Sequence, residues 1–585
     1  MQTLSKLGYT RCFYVAGGNS MHLLESASRY LECTPVVHEV TAGIAAEYFN
    51  QTKRGKAFAL VTAGPGLTNL VTSIAGAWLE SRALLIIGGQ VKSENLQKGG
   101  IRQGGIQEID GVNLVKSITK KAIRLENPVD AAEITRIVGT TESDRPGPVF
   151  VEVCLNVTAA EYSPVSTDEK YKEGYPDGQN PVSNDLREIR SLIQRSKRPL
   201  VLLGNGLSRS AALNLQSRLK DLKIPIASTW SGADRIGTDY PYYAGRPNNY
   251  GMRWANIFQQ QSDLLIVIGS SLGLQQTGFN TEAYMPVGKI IHVDIDQSEL
   301  EKDNPKERIP LKMDSESFAR ILPDFFHEDS KYREEWVDFL KLVKESIPFV
   351  ESCQESSKDY LSPHSVINYV SKLCALDAQI VVCSSGGTFT AGMQCFENKG
   401  TQILLSNKGL ASMGYGLAGA IGLAFSNRSA KTVLFEGDGG FAQNLQDLGT
   451  VAANKLNLKM FITNNLGYAS IRTSQKNYFE GHYLGCDTST GLGFPQWKLV
   501  AASFGVTYFE LNPESYNSPD FHELFESSHP VIFEIRSDPE QTYLPRVHSK
   551  VMPDGSMNSS PIHDMLPRLD QDIAEKVFKY IPIPE

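Results

Sequence analysis

The chain has 585 residues, 41% of them apolar and 21% charged, an ordinary globular composition that excludes a disordered or fibrous protein. One hydrophobic core does not grow to this length, so about three or four domains are expected, with clefts between them. A formal net charge of -8 and a pI near 5.8 leave no global basic field to gather nucleic acid or anionic lipid, which favours a small-molecule substrate.

No stretch approaches the roughly 18 uncharged apolar residues of a membrane span. The opening MQTLSKLGYTRCFYVAGG lacks a cationic head followed by a long apolar run, so a soluble, cytoplasmic protein is expected. The eight cysteines, at 12, 33, 154, 353, 374, 383, 395 and 486, contain no C-x-x-C. Reduced buried thiols are expected rather than a zinc site or a disulfide framework.

Short apolar, β-branched runs alternate with helical stretches: CFYV at 12, FALVT at 58, ALLIIG at 83 and VFVEVC at 149. This predicts parallel βα units over 1–160. Within them, a short apolar run from Pro35 to Val37 leads through His38-Glu39 into TAGIAAEYFN, which reads as a helix. The segment Thr62 to Asn69 after FALVT has small residues that let backbone approach a ligand. A polar stretch from 156 to 185 reads as a linker. The alternation resumes over 185–330 with PLVLLG at 199, IPIAS at 224, DLLIVIG at 263 and KIIHVDID at 289. A charged helical passage from His327 to about His364 follows. A third set over 360–550 holds QIVVCSS at 379, ILLSN at 403, KTVLFEGDGG at 431, LKMFITNN at 458 and VIFEIR at 531, before a tail over 551–585. The expected fold class is α/β, with three doubly wound parallel-sheet domains and ligands bound beyond the carboxyl ends of strands.

Gly437 to Ala442 fits G-x-G-x-x-A, a dinucleotide fingerprint. A nicotinamide site wants an acidic residue at the next strand end, and this chain has Asn464-Asn465 there. Asp438 and Asn465, 27 positions apart, with a backbone carbonyl near Gly467, make an oxygen donor set suited to Mg²⁺ and a diphosphate. Gly437, Gly439 and Gly440 keep side chains clear of the phosphates, and a helix starting near Phe441 offers free N–H groups.

G-D-G followed, one helix and one strand later, by N-N resembles the signature of thiamine-diphosphate-dependent enzymes. From about Arg11 to about Pro567 the chain is similar to the acetohydroxyacid (acetolactate) synthase branch. The resemblance implies a pyrimidine-binding domain first, a central domain, and a diphosphate-binding domain last. It also implies a homodimer or homotetramer, with coenzyme held between the first domain of one subunit and the third of another. Glu39 matches the catalytic glutamate, which hydrogen-bonds N1′ of the aminopyrimidine so that its 4′-nitrogen can take the thiazolium C2 proton. Gly64, Pro65 and Asn69 resemble the loop near the pyrimidine; Gly386, Gly387, Thr388 and Ala411 match coenzyme loops; Met413 looks like the wedge that keeps the coenzyme bent. Gln107, in GIRQGGIQEID, resembles a loop glutamine that reaches the active site, although composition alone gives a surface loop. Tyr468 and Ala469 complete the coenzyme set, and Tyr468, Ser470, Ile471 and Arg472 are expected on the acceptor side. The implied reaction is decarboxylation of a 2-oxo acid, pyruvate first, and transfer of the two-carbon unit to a carbonyl acceptor.

The sequence departs from that branch in places. It has no adjacent His-His pair, which simple pyruvate decarboxylases use to release aldehyde, and this favours carboligation. Ser474 stands where acetohydroxyacid synthases carry a tryptophan, and Gly269 to Gln275 lacks the arginine of their central domain. A closer resemblance, carried by GIRQGGIQEID, YGMRWANIFQQQSDLLIVIGSSLGLQQTGFN and PRVHSKVMPDGSMNSSPIHDMLP, is to acetolactate-synthase-like carboligases of polysaccharide pathways. It implies an alternative acceptor, a keto-sugar nucleotide, giving a branched sugar; a thiamine-diphosphate lyase or hydrolase is a further alternative. Gly204, Gly206, Arg246, Asn248, Gly269, Ser270, Asp294 and Asp296 resemble FAD-binding segments, where the flavin is largely structural and which several relatives keep without it. A non-catalytic homologue is disfavoured by the presence of Glu39 and Asp438. Related proteins carry more helix before the first strand, so part of that helix is expected to be missing.

Overall fold

The computed structural model describes residues 1–160, 183–303, 305, 308–327, 331–552, 554 and 557–584. The first sheet is built from β1 (Tyr9–Tyr14), β2 (Glu32–Pro35), β3 (Lys56–Val61), β4 (Leu84–Gln90), β5 (Lys121–Leu125) and β6 (Pro148–Cys154). Its order is β2-β1-β3-β4-β6-β5 and all its pairs are parallel. β4 and β6 are buried along their whole length, as expected for a parallel sheet covered by helices on both faces.

The second sheet, β7 (Pro199–Leu203), β8 (Ile226–Ser228), β9 (Leu264–Ile268), β10 (Lys289–Asp294) and β11 (Arg308–Lys312), runs β11-β10-β9-β7-β8, again parallel. The third has β12 (Gln379–Val382), β13 (Ile403–Leu405), β14 (Thr432–Gly437), β15 (Leu458–Asn464), β16 (Thr507–Leu511) and β17 (Val531–Arg536), of which five run β12-β14-β15-β17-β16 in parallel. The α/β class and the three parallel sheets expected from the alternating runs are therefore present.

The chain packs as two compact units. The first holds Met1–Gly174, Ala378–Gly386 and Ser406–Arg536; the second holds Tyr175–Asp377, Gly387–Leu405 and Ser537–Glu585. This differs from the expected boundaries, because 387–405 lies inside the expected third domain yet falls in the second unit. Long-range bonds explain it. Gln394 Nε2 donates to Tyr250 O at 2.9 Å and Pro545 O at 3.0 Å, and Arg246 donates to Met393 O at 2.7 Å and Phe396 O at 2.6 Å.

Other boundaries moved less. β2 ends at Pro35, where the predicted apolar run begins. The helix after β14 starts at Asp438 rather than near Phe441. The charged passage after His327 contains the helix Lys331–Ser346, and residues 161–182 of the expected linker lie outside the described residues. In the first unit, helix Glu39–Asn50 packs closely on helix Tyr415–Ser426: a Cβ at Gly422 would lie 2.2 Å from Ala45 O, and one at Gly419 2.6 Å from the Tyr48 ring. Under this contact Arg82 donates to Glu47 Oε1 at 2.7 Å, and the Tyr415 hydroxyl bonds the same carboxyl.

Candidate functional site

β14 and β15 are parallel neighbours with Gly437 opposite Thr463, so their carboxyl ends lie side by side. Asp438 follows one end and Asn465 the other, 3% and 6% exposed. Asp438 Oδ1 accepts the Gly439 N–H at 2.7 Å, and Oδ2 accepts the Gly467 N–H at 3.0 Å. Burial pushes this carboxyl up to about 7, against the pull of the Gly439, Gly467 and Asn465 backbone and of Arg472. Ionised, it is a buried charge answered mainly by peptide N–H groups, the condition under which a cation is held.

Three glycines make the surroundings. A Cβ at Gly439 would lie 2.3 Å from the Tyr468 ring, one at Gly440 2.5 Å from Glu436 Oε1, and one at Gly467, whose φ is +140°, 2.2 Å from Cys486 O. The Asn pair divides its work. Asn464 Oδ1 accepts the Leu466 N–H at 3.1 Å and its Nδ2 donates to Glu534 at 2.6 Å, so this amide shapes the turn. The Asn465 backbone bonds the Asp438 carboxyl. Arg472, expected on the acceptor side, instead turns inward: it is 7% exposed and donates to Asn465 O at 2.8 Å. Ser470 and Ile471 on the same helix are exposed.

The 411–414 loop has Ala411 at φ +56° and Gly414 at φ +79°. Asn444 Nδ2 donates to Gly414 O at 2.6 Å, and Met413 Sδ lies 3.7 Å from Gln443 Nε2. Glu436 lies at the start of helix Tyr415–Ser426; burial lifts it to about 8, opposed by the Gly416 and Leu417 N–H groups.

A second cluster gathers at the carboxyl ends of the first sheet. His38 caps helix Glu39–Asn50 by accepting the Val40 N–H at 3.2 Å, and Glu39 is its first residue, half-buried. Asn69 Nδ2 donates to Glu39 Oε2 at 2.9 Å. Gly64, at φ +63°, abuts the Gln107 loop: a Cβ there would lie 2.4 Å from Gln107 O. Glu108 organises that loop, accepting the Gln97 and Gly104 N–H groups at 2.6 Å each and the Gly105 N–H at 3.0 Å, and Gln107 itself is exposed at φ +62°. Among the described residues no hydrogen bond joins Glu39 to the Asp438 cluster. Glu108, Glu436 and Asp447 went unremarked in the sequence; an acidic residue inside an apolar run, or just after G-D-G, was the available signal.

In the second unit, Gly387 faces Tyr543, whose ring a Cβ would strike at 1.7 Å, and Thr388 is buried. Gly204 and Gly206 pack on Gly269, with Gly206 N–H donating to Gly269 O at 2.9 Å. His292 bonds Ser270 O at 2.7 Å, and Asp294 Oδ1 accepts the Asp296 N–H at 2.9 Å. Arg246 and Asn248, expected at a flavin, are 0% exposed. The Arg246 donors go to Met393 O, Phe396 O and Asn398 Oδ1, and Asn248 O and N–H both bond the Asn256 amide. Arg235 lies across the Gly204-Asn205-Gly206 loop, bonding Leu207 O and Asn205 Oδ1.

All eight cysteines are free thiols, and no described helix is long and apolar enough to cross a membrane. Three family models match: the N-terminal TPP binding domain of thiamine pyrophosphate enzymes over residues 1–114, their central domain over 186–322, and their C-terminal TPP binding domain over 385–535. The chain is 28% identical over 565 residues to acetolactate synthase isozyme 1 large subunit of Escherichia coli, covering 94% of each. It is 30% identical over 493 residues to the acetolactate synthase large subunit of Corynebacterium glutamicum, covering 83% of this chain and 77% of that one. Against the Lactococcus lactis large subunit the identity is 25% over 556 residues. With the strand-end cradle, the three sheets and these relatives agreeing, the chain belongs to the thiamine-pyrophosphate-dependent enzymes of the acetolactate synthase family.

Proposed function

We propose that the protein decarboxylates pyruvate and joins the two-carbon unit to a second 2-oxo acid, as an acetolactate synthase does. The observation that carries this is Asp438, a nearly fully buried carboxylate that accepts the Gly467 N–H at the paired strand ends; its oxygens, the Asn465 amide oxygen and the Gly467 carbonyl would make an all-oxygen set suited to Mg²⁺. In this reading those three residues hold the metal. The backbone of Gly437, Gly439 and Gly440 at the helix start would hold the diphosphate, with Tyr468 and Ala469 beside it, and Met413 and Ala411 would support the rest of the coenzyme. Thiamine diphosphate, when bound, supplies an electron sink for the carbon that loses CO₂.

Glu39 supplies the proton at N1′ of the aminopyrimidine and takes it back, with Asn69 steadying its carboxyl through the 2.9 Å bond. Gly64 and Pro65 let backbone approach the pyrimidine, and Gln107 orients substrate. The large exposed apolar groups of this unit, Ile106 at 84%, Phe479 at 64% and Leu484 at 63%, favour assembly with further copies of the chain. A flavin fits the central domain less well, since the Arg246 side chain is spent on internal bonds and Arg235 lies across the Gly204 loop. No step here uses one.

The test is hydrogen–deuterium exchange at C2 of enzyme-bound thiamine diphosphate. Glu39→Gln should slow it by on the order of 100-fold or more, the scale of acid–base catalysis. Wild-type exchange in that variant would overturn the assignment. Offering pyruvate together with a nucleotide-linked ketosugar asks, in the same preparation, whether the exposed Ser474 admits a bulkier acceptor.

A further inference from the structure

Helix Glu39–Asn50 is gripped at its start by a residue from the far end of the same unit. Asp447 Oδ1 accepts the Val37 N–H at 2.9 Å, and Oδ2 accepts the Thr41 hydroxyl at 2.7 Å. Val37 is two positions before Glu39 and Thr41 two after, so one carboxylate bonds the chain on both sides of the proposed proton carrier. Thr450 Oγ1 donates to Oδ1 at 3.0 Å, Asp447 is 0% exposed, and His38 faces it. Burial raises this carboxyl, and the Thr41, Val37 and Thr450 bonds, with His38, pull it back. A buried carboxylate with this many donors is fixed in place and can fix what it holds.

The segment that carries Asp447 begins at the proposed metal ligand. Residues 438–447 contribute Asp438 to the metal set, Gln443 and Asn444 to the Met413–Gly414 loop, and Asp447 to the Glu39 helix. We infer that Asp447 is a positioning residue for Glu39: it holds the Val37 backbone before that residue and the Thr41 side chain after it, and so sets the angle from which the carboxyl meets the pyrimidine. It rests on the role proposed for Glu39, and Asp447 itself need touch neither coenzyme nor substrate.

Asp447→Leu, of similar volume, removes both acceptors and leaves the Val37 N–H and the Thr41 hydroxyl without them. Asp447→Asn keeps an acceptor for Val37 and a partner for Thr41. Each variant is saturated with thiamine diphosphate and Mg²⁺, and C2 exchange, coenzyme affinity and thermal melting are measured together. Exchange should fall on the order of 10- to 100-fold in Asp447→Leu, as for a misplaced catalytic group, while coenzyme affinity holds. Asp447→Asn should recover most of the loss. If Asp447→Leu fails to fold, Thr41→Val against Thr41→Ser decides: the first should slow exchange and the second should match wild type. Wild-type exchange in folded Asp447→Leu or in Thr41→Val overturns the inference, as does a loss that only tracks coenzyme affinity or melting. Wild-type exchange in Glu39→Gln would instead remove the reading beneath it.

Discussion

Asp438 and Asp234 are both buried aspartates in short helical segments beside glycines after strands of parallel sheets, and the chain treats them in opposite ways. Asp234 lies between Arg209, at 2.6 Å, and Arg235, and also accepts the Leu404 N–H at 3.1 Å. Burial works against its charge, yet the two arginines hold its carboxyl below its ordinary value. Asp438 is answered mainly by backbone N–H groups, with a weaker pull from Arg472, and burial lifts it to about 7. Two arginines answer one carboxylate, while the other is answered mainly by peptide N–H groups, as suits the cation proposed for it. A buried carboxylate neutralised by side chains is scaffold, and one without such neutralisation is where a cation is proposed.

Removing each carboxylate should separate the two cases, and the largest effect belongs to Asp438. Asp438→Ala should weaken Mg²⁺-dependent binding of thiamine diphosphate by more than about 100-fold, since even outer-sphere changes at metal sites cost about 10- to 100-fold. Calorimetric titration reads this, and the metal-free variant should melt no lower than wild type. Asp234→Ala should do the reverse. Leaving Arg209 and Arg235 without their counter-charge should cost about 3–5 kcal/mol in denaturant unfolding, with no specific loss of coenzyme affinity. A flavin absorbance band in the purified protein would break the comparison, because it would make the second loop a ligand site after all.

A smaller effect follows from pH. His292 and His364 are buried in the second unit and held neutral, each lowered from 6.5 to about 4, chiefly by burial. The unfolded chain binds these protons first, so the stability they contribute is present above pH 6.5 and is lost as pH falls through 4. The slope between those values is about 1.4 kcal/mol per pH unit for each histidine. Unfolding of the second unit followed from pH 7 to pH 5 should display it, and His364→Asn should reduce it.

The strand-end motifs were readable in the sequence because a parallel sheet writes them locally: an apolar run, then Gly437-Asp438-Gly439, then a helix. Their boundaries held to within a few residues. What could not be read is what arrives from far along the chain. Arg246 resembles a ligand contact in sequence, but its fate depends on carbonyls about 150 residues away. The grip of Asp447 on Val37 spans 410 residues. Arg472 sits seven residues past Asn465, in the first turn of helix Ala469–Tyr478, where either inward or outward is open in sequence, and its bond to Asn465 O goes with the inward position. The transfer of 387–405 to the second unit has the same origin, since Gln394 finds its partners at Tyr250 and Pro545.

The most direct test of the account is the fate of pyruvate. The purified protein is given pyruvate with thiamine diphosphate and Mg²⁺, each alone and both together, and CO₂ and carbon products are measured. The account predicts CO₂ release only with both present, with the two-carbon unit recovered in a new carbon–carbon bond, acetolactate when pyruvate is the sole acceptor. CO₂ release independent of thiamine diphosphate, or acetaldehyde as the sole product, would contradict it.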